Sequence, residues 1–140
     1  MAEFTANALQ LTAAGQNVLF TETPVSGGSG IAHRAGAGIV TLRGMTNQCR
    51  ARYRVMFGAN IAVPTGGTVE AISVALSLSG EPLASATAIV TPAAVEDFFH
   101  VFVAVFVDVP RGCCETIAVE NTSTQAINIQ NANLIVERVA

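Results

Sequence analysis

The chain has 140 residues, of which 51% are apolar and only 12% are charged. This length fits one domain with a sound core, and the charged fraction, about half the usual level, predicts that partners bury much of the surface. The net charge is -3 and all seven basic residues are arginine. An acidic chain is not attracted electrostatically to nucleic acid or to an anionic membrane, so neither is expected as a partner.

The N-terminus and the hydropathy pattern show no targeting or membrane signal. No apolar run approaches the roughly 18–20 residues of a membrane span, and residues 1–15 lack the basic and apolar regions of a secretory signal. Cys49, Cys113 and Cys114 are odd in number and two of them are adjacent, which is not a disulfide framework. We expect synthesis in the cytoplasm without a signal peptide, and a final location on a virion or an extracellular surface.

The first half of the chain predicts short strands separated by turns. Residues 1–15 are interpreted in three ways, as a flexible arm, an edge strand or an attachment segment, and the domain proper is placed at 16–140. The glycine-rich segment 26–30 predicts a turn and not a phosphate cradle, because no helix or lysine follows it. Strands are predicted at 17–23, 38–43, 49–61, 68–79 and 83–91.

The segment 98–109, with the sequence FFHVFVAVFVDV, is dominated by aromatic and β-branched residues and predicts a long strand. At a strand's period of two, one face carries Phe99 and five valines. Leaving the phenylalanines of the other face in water would forgo roughly 1.5–3 kcal/mol per ring, so a second copy of the chain is the expected cover. That other face, the predicted interface, carries Phe98, His100, Phe102, Ala104, Phe106 and Asp108.

Strands predicted at 116–120 and 134–139, with a brief one at 126–129, complete the chain. Eight to ten short strands, and no segment with a sustained helical period, predict an all-β sandwich of two antiparallel sheets. A jelly roll is the commonest arrangement of that many antiparallel strands.

From Gly38 onward the sequence resembles the jelly-roll heads of the tumour necrosis factor and complement globular-head superfamily. GIVTLRG at 38–44 and RARYRVMFGANI at 50–61 are similar to its third and fourth strands, and AISVALSLSGEPL at 71–83 is similar to a strand, turn and strand. The run at 98–109 matches its inner strand and NANLIVERVA at 131–140 its closing strand. Within the superfamily the likeness is greatest to the C-terminal domain of bacterial collagen-like spore-surface glycoproteins and related phage-encoded domains.

The resemblance implies a homotrimer in which the sheet of the first, last and inner strands packs about a three-fold axis. It also implies that the strand at 49–61 lies between the closing strand and the strand at 98–109. No Gly-X-Y stretch precedes the domain in this sequence, which argues against display on a collagen stalk.

Three arginines, Arg50, Arg52 and Arg54, share one face of the strand at 49–61. In the implied topology, Asp108 and Glu137 lie within reach of them. Inter-strand or inter-subunit ion pairing is favoured, because clustered arginines in an acidic protein need carboxylates nearby. A bound anion is the alternative.

No catalytic or metal-binding motif stands out. His100 projects from the predicted interface, where three copies would converge on a metal at an axis, but a packed or hydrogen-bonded histidine is the commoner role. His33 is expected in solvent. Cys113 and Cys114 lack CxxC spacing, and neither histidine is placed as a base for a thiol. We therefore expect no metal, no cofactor and no enzymatic activity.

These observations favour a non-enzymatic homotrimer that serves as a structural, decoration or attachment module on a phage virion or a bacterial or spore surface. Its partner would be a host-surface glycan or protein, or a capsid or surface scaffold. Repeated loops at 26–37, 64–67, 79–82 and 121–131 would supply avidity. The alternative is a carbohydrate- or ligand-binding module of lectin type, although the chain has no Trp and one Tyr, Tyr53, which the alternation directs inward.

Overall fold

The structure is a computed structural model that describes residues 1–28, 30–112 and 114–140. Within these ranges no helix has the length and apolar character that crossing a membrane requires. The described residues form eleven strands: β1 (Ala2–Ala6), β2 (Gln10–Thr12), β3 (Glu22–Val25), β4 (Ile31–His33), β5 (Val40–Arg43), β6 (Arg50–Ala62), β7 (Ile72–Leu78), β8 (Glu81–Val90), β9 (Phe99–Pro110), β10 (Cys114–Asn121) and β11 (Ile127–Arg138).

The strands form two antiparallel sheets that pack into a sandwich. The larger sheet runs in the order β3-β1-β11-β6-β9, with β2 also paired to β11, and the smaller sheet runs β4-β5-β10-β7-β8. The predicted all-β sandwich of two antiparallel sheets is confirmed. The described strands exceed the predicted eight to ten because β4 forms in a segment expected to be a loop, and because β1 and β2 form in residues 1–15, for which a strand was one of three interpretations.

Residues 1–15 contribute directly to the larger sheet. β1 pairs with β11 on one side and with β3 on the other, and its side chains Ala2, Phe4 and Ala6 are buried in the core. β1 is therefore an interior strand of the sheet. An attachment role for this segment stays a prediction.

The segment 17–23, predicted as the first strand, forms a sheet strand only from Glu22 onward, as β3. Val18 and Phe20 are nevertheless fully buried. The backbone N–H of Val18 donates to the carbonyl of Val119 at 2.8 Å, and that of Phe20 to the carbonyl of Ala37 at 3.2 Å. Most of the segment predicted as a strand therefore makes isolated bridging contacts in place of a continuous ladder.

The two strands predicted near the C-terminus are one long strand, β11. Its register against β6 shifts between Gln130 and Asn133, and Asn131 has a φ of 56°. This left-handed conformation is one that asparagine tolerates better than most residues. The polar residues that suggested a loop between two strands therefore lie at a bulge in the middle of one strand.

The core lies between the sheets and is built by side chains that alternate along each strand. From β6, Phe57 packs edge-on against Phe20 with ring centroids 6.3 Å apart. Tyr53 is 1% exposed, and its hydroxyl donates to the carbonyl of Arg43 at 2.8 Å. Burial raises the pKa of the Tyr53 phenol. The inward direction predicted for Tyr53 agrees with this position.

β9 is an edge strand of the larger sheet, because among the described strands β6 alone pairs with it. All twelve residue pairs from Arg50–Pro110 to Ile61–Phe99 are in continuous antiparallel register. The resemblance placed 98–109 in one sheet with the first and last strands and placed 49–61 between the closing strand and 98–109, and the order β11-β6-β9 agrees with this. A period of two shows which side chains share a face, but it does not show how many neighbours a strand has.

Candidate functional site

The candidate site is the outward face of the larger sheet, formed by β6, β9 and β11. On β9, Val101, Val103 and Val107 are buried in the sandwich, whereas Phe102 and Phe106 are each 61% exposed. Both rings therefore stand on the surface of the single chain. We call this outward surface the phenylalanine face.

The strand register arranges the phenylalanine face in rows that cross the sheet. Its middle is apolar, one end is charged, and the opposite end carries amides and a histidine. From the charged end inward, the rows across β9, β6 and β11 are Asp108 and Arg52; Phe106, Arg54 and Glu137; Ala104, Met56 and Ile135; Phe102, Gly58 and Asn133; and His100 and Asn60.

The charged end brings the predicted arginines and carboxylates together within one chain. Arg52 donates to both carboxylate oxygens of Asp108, at 2.7 and 3.1 Å, and Arg50 lies 3.2 Å from the same carboxylate. Arg54 pairs with Glu137 at 2.5 Å. The hydrogen bond from Arg52 holds the pKa of Asp108 below its usual value. These contacts are inter-strand pairs across β6, β9 and β11, while a contribution between subunits stays a prediction.

Because the pKa of Asp108 is lowered in the folded chain, its stabilising effect is present above the unfolded value of about 3.9. That effect is lost as the pH falls through the folded pKa. We expect Asp108→Asn to lower the urea midpoint slightly at pH 7 and to have no effect near pH 2. The difference stays small because the pair is exposed and screened by salt.

The control for this prediction is Asp97→Asn, which changes an exposed carboxylate on the connection before β9. Urea midpoints would be measured for the three proteins from pH 2 to pH 7. Parallel curves for wild type and Asp108→Asn would contradict the ion-pair interpretation.

The opposite end of the phenylalanine face is a chain of hydrogen-bonded polar side chains. The Nδ1 atom of His100 lies 3.2 Å from Oδ1 of Asn60, and Nδ2 of Asn60 donates to Oδ1 of Asn131 at 3.2 Å. In the part of the chain that the structure describes, no three His, Cys, Asp or Glu residues are grouped to hold a metal ion. Within a single chain, His100 is a hydrogen-bonded surface histidine.

Phe98 and Phe99 lie at the beginning of β9, away from the aligned rows of the sheet. Phe98, predicted at the interface, precedes the strand and is partly exposed. Phe99 shares a face with the valines, as its alternation predicts. It is nevertheless 40% exposed, because at this end of β9 the inward direction does not bring burial. Neither ring is part of the apolar middle of the phenylalanine face.

His33 does not lie in a solvated loop as expected. It is the last residue of β4 and is half-buried, and its ring packs against Phe4 with centroids 4.6 Å apart. The Nε2 atom lies 2.8 Å from the carbonyl of Ala37. The expectation was wrong because β4 has only three residues, and the glycines around so short a strand favour a loop prediction.

Cys49 and Cys114 are both exposed. Cys113 lies outside the described residues, so the prediction for the adjacent pair cannot be followed further. The turn predicted around 26–30 likewise includes Ser29, which lies outside the described residues.

Sequence reasoning missed the residues of β6 and β11 that complete the apolar middle. Met56 and Ile135 face each other across the two strands, and Gly58 lies in the next row opposite Phe102. An isolated glycine inside a strand pattern often marks a close approach by another group. Gly58 was therefore the feature of the sequence that could have indicated this part of the face.

Comparison of this fold with solved structures finds several similar proteins. The Eiger tumour necrosis factor from S. frugiperda has a TM-score of 0.70 at 14% identity, over 99% of this chain and 91% of that chain. Murine APRIL at pH 5.0 has a TM-score of 0.61 at 13% identity, over 97% and 98%. The globular domain of zebrafish complement 1qA has a TM-score of 0.56 at 11% identity, over 96% and 94%.

No family model and no curated protein matches the sequence. The structural likeness therefore establishes the fold, and the resemblance expected from the sequence is confirmed at that level. The sandwich is a jelly roll of the type seen in tumour necrosis factor and complement globular heads.

Proposed function

We propose that this chain, a jelly roll of the tumour necrosis factor type, is a non-enzymatic homotrimer that serves as a structural or attachment module. The observation that carries the proposal is the phenylalanine face, with two rings that are each 61% exposed. A contiguous apolar patch rimmed by polar residues is typical of protein–protein contact. Polar residues at both of its ends match that description.

The size of the phenylalanine face supports self-association. Its three long strands have 12 to 13 residues each, so the face measures about 40 Å along the strands and about 15 Å across them. That flat area, about 600 Å² before side-chain relief, approaches the ~800 Å² that each partner buries in a standard interface.

The charges of the phenylalanine face also permit a second copy to approach. On the phenylalanine face the three arginines Arg50, Arg52 and Arg54 are matched by the carboxylates of Asp108 and Glu137. A third carboxylate, Glu3, lies beside the face on the neighbouring strand β1 and accepts a hydrogen bond from Asn133. The face is therefore close to neutral in a chain of net charge -3. Two copies can meet there without the like-charge repulsion that other surfaces would impose.

The loops at one end of the sandwich supply a rigid surface for an attachment partner. Glu96 accepts hydrogen bonds from the backbone N–H of Thr65 and from Asn128, and Gln125 bonds to both the N–H and the carbonyl of Thr68. Loops held in this way lose little entropy on binding. Presented several times by an oligomer, they would bind a surface with avidity.

The finer assignment, to a phage virion or a bacterial or spore surface, is supported by the sequence resemblance to spore-surface and phage-encoded domains. The lectin-type alternative has less support. Tyr53, the one tyrosine, is buried and the chain has no tryptophan, so a Trp or Tyr platform for stacking a sugar ring is lacking.

The test of the proposed function is the oligomeric state of the purified protein. Mass photometry and light scattering over a range of concentrations should give three times the mass of the 14.4 kDa chain. A monomer at high micromolar concentration would overturn the proposal. A glycan array probed with the same sample would decide the lectin-type alternative.

A further inference from the structure

A depression of about 310 Å³ opens on the phenylalanine face between β6, β9 and β11. Gly58 forms its floor and Phe102 one of its walls. The depression is about twice as large as the ~150 Å³ apolar cavities that hold a benzene molecule. Its lining residues are Met56, Gly58, His100, Phe102, Asn131, Asn133 and Ile135.

Gly58 lines the depression without a side chain, and the single chain does not require glycine there. Gly58 is absent from the glycines with positive φ. A Cβ atom built on Gly58 would lie 3.4 Å from Cε1 of His100 and 3.7 Å from the carbonyl oxygen of Val101, which are acceptable contacts. Glycine inside a strand costs roughly 0.5–1 kcal/mol relative to alanine. No contact within the single chain therefore explains why position 58 is glycine and not alanine.

We infer that this depression receives the ring of Phe106 from a second copy of the chain, an inference that rests on the proposed self-association. Phe102 cannot be the occupant in the same way, since it already forms the wall. Phe106 is 61% exposed, stands about 13 Å along β9 from Phe102, and does not line the depression. A ring on an edge strand can reach beyond its own sheet, which suits it to enter a neighbour.

The surroundings of the depression fit an aromatic ring. Met56 and Ile135 offer apolar contacts, and thioether groups pack favourably against rings. The amides of Asn131 and Asn133 lie at the rim, and both make hydrogen bonds within the chain, to Asn60 and Glu3 respectively. A ring that enters the depression can therefore leave both of these hydrogen bonds in place.

The first test fills the depression from within. Gly58→Val places a side chain on the floor and also favours a strand conformation, so the single chain should keep its thermal stability. We expect association to weaken about tenfold or more, as measured by mass photometry on dilution. The association of Gly58→Ala should be weaker than that of wild type and stronger than that of Gly58→Val. The control is Ile89→Ala, which removes an exposed apolar side chain from the outward side of the smaller sheet.

The second test is a double-mutant cycle. If Phe106 occupies the depression, Phe106→Ala alone should weaken association about as much as Gly58→Val. In the Gly58→Val background it should then have little further effect, because groups in contact are coupled. Additive losses would place Phe106 elsewhere and overturn the inference.

A reporter variant gives an independent measurement. The chain has no tryptophan, so Phe106→Trp introduces a single emitter whose fluorescence should shift to the blue as oligomers form. Gly58→Val should abolish that shift. An oligomer that tolerates Gly58→Val overturns the inference while leaving the proposed function intact, and a small apolar ligand bound in the depression of a monomer would overturn both.

Discussion

Phe102→Asp is expected to convert the oligomer into a soluble monomer. In a trimer each of three rings would lose roughly 1.5–3 kcal/mol of burial, and three carboxylates would be forced into an apolar contact without partners. Association should weaken about 100-fold or more, as loss of a central aromatic anchor does. Because Phe102 is 61% exposed in the single chain, the variant should still fold.

Two further variants make this result specific. Ile89→Asp places the same charge at a side chain that is 67% exposed on the opposite sheet, and it should leave the mass of the oligomer unchanged. Phe102→Leu keeps an apolar side chain and should retain most of the association. Light scattering that finds a soluble Phe102→Asp trimer would remove Phe102 from the interface.

Gly44→Ala is expected to destabilise the fold by about 3 kcal/mol or more, as severe overpacking does. A Cβ atom at Gly44 would overlap the carbonyl oxygen of Pro110 and lie 2.8 Å from its carbonyl carbon. Both are backbone atoms at the end of β9 and cannot rotate away. The carbonyl of Gly44 also accepts a hydrogen bond from the N–H of Gly112 at 3.1 Å, so displacing β5 would disturb the turn after β9 as well.

The matched control is Gly28→Ala, since a Cβ atom there meets nothing within 4 Å. Thermal and urea unfolding, followed by circular dichroism at one protein concentration, should separate the two variants by about 10 °C in midpoint. A Gly44→Ala protein as stable as Gly28→Ala would contradict the close contact between Gly44 and the backbone of Pro110.

The candidate site was predictable only in part. The pattern on 98–109 identified Phe102 and Phe106 as outward-facing because side chains alternate strictly along a strand. The pairing of Arg52 with Asp108 and of Arg54 with Glu137 needed the order of strands as well, which came from the family resemblance. Gly58 was not predicted, because a depression is a property of three strands side by side.

The sequence by itself determined the class of the fold and the two faces of its long strands, because both follow from the local period of apolar residues. Only the tertiary structure decided that β9 lies at an edge, that residues 2–6 form an interior strand, and that His33 packs against Phe4. These features depend on hydrogen bonds and contacts between residues far apart in the chain. No local pattern can specify which distant strand will supply such partners.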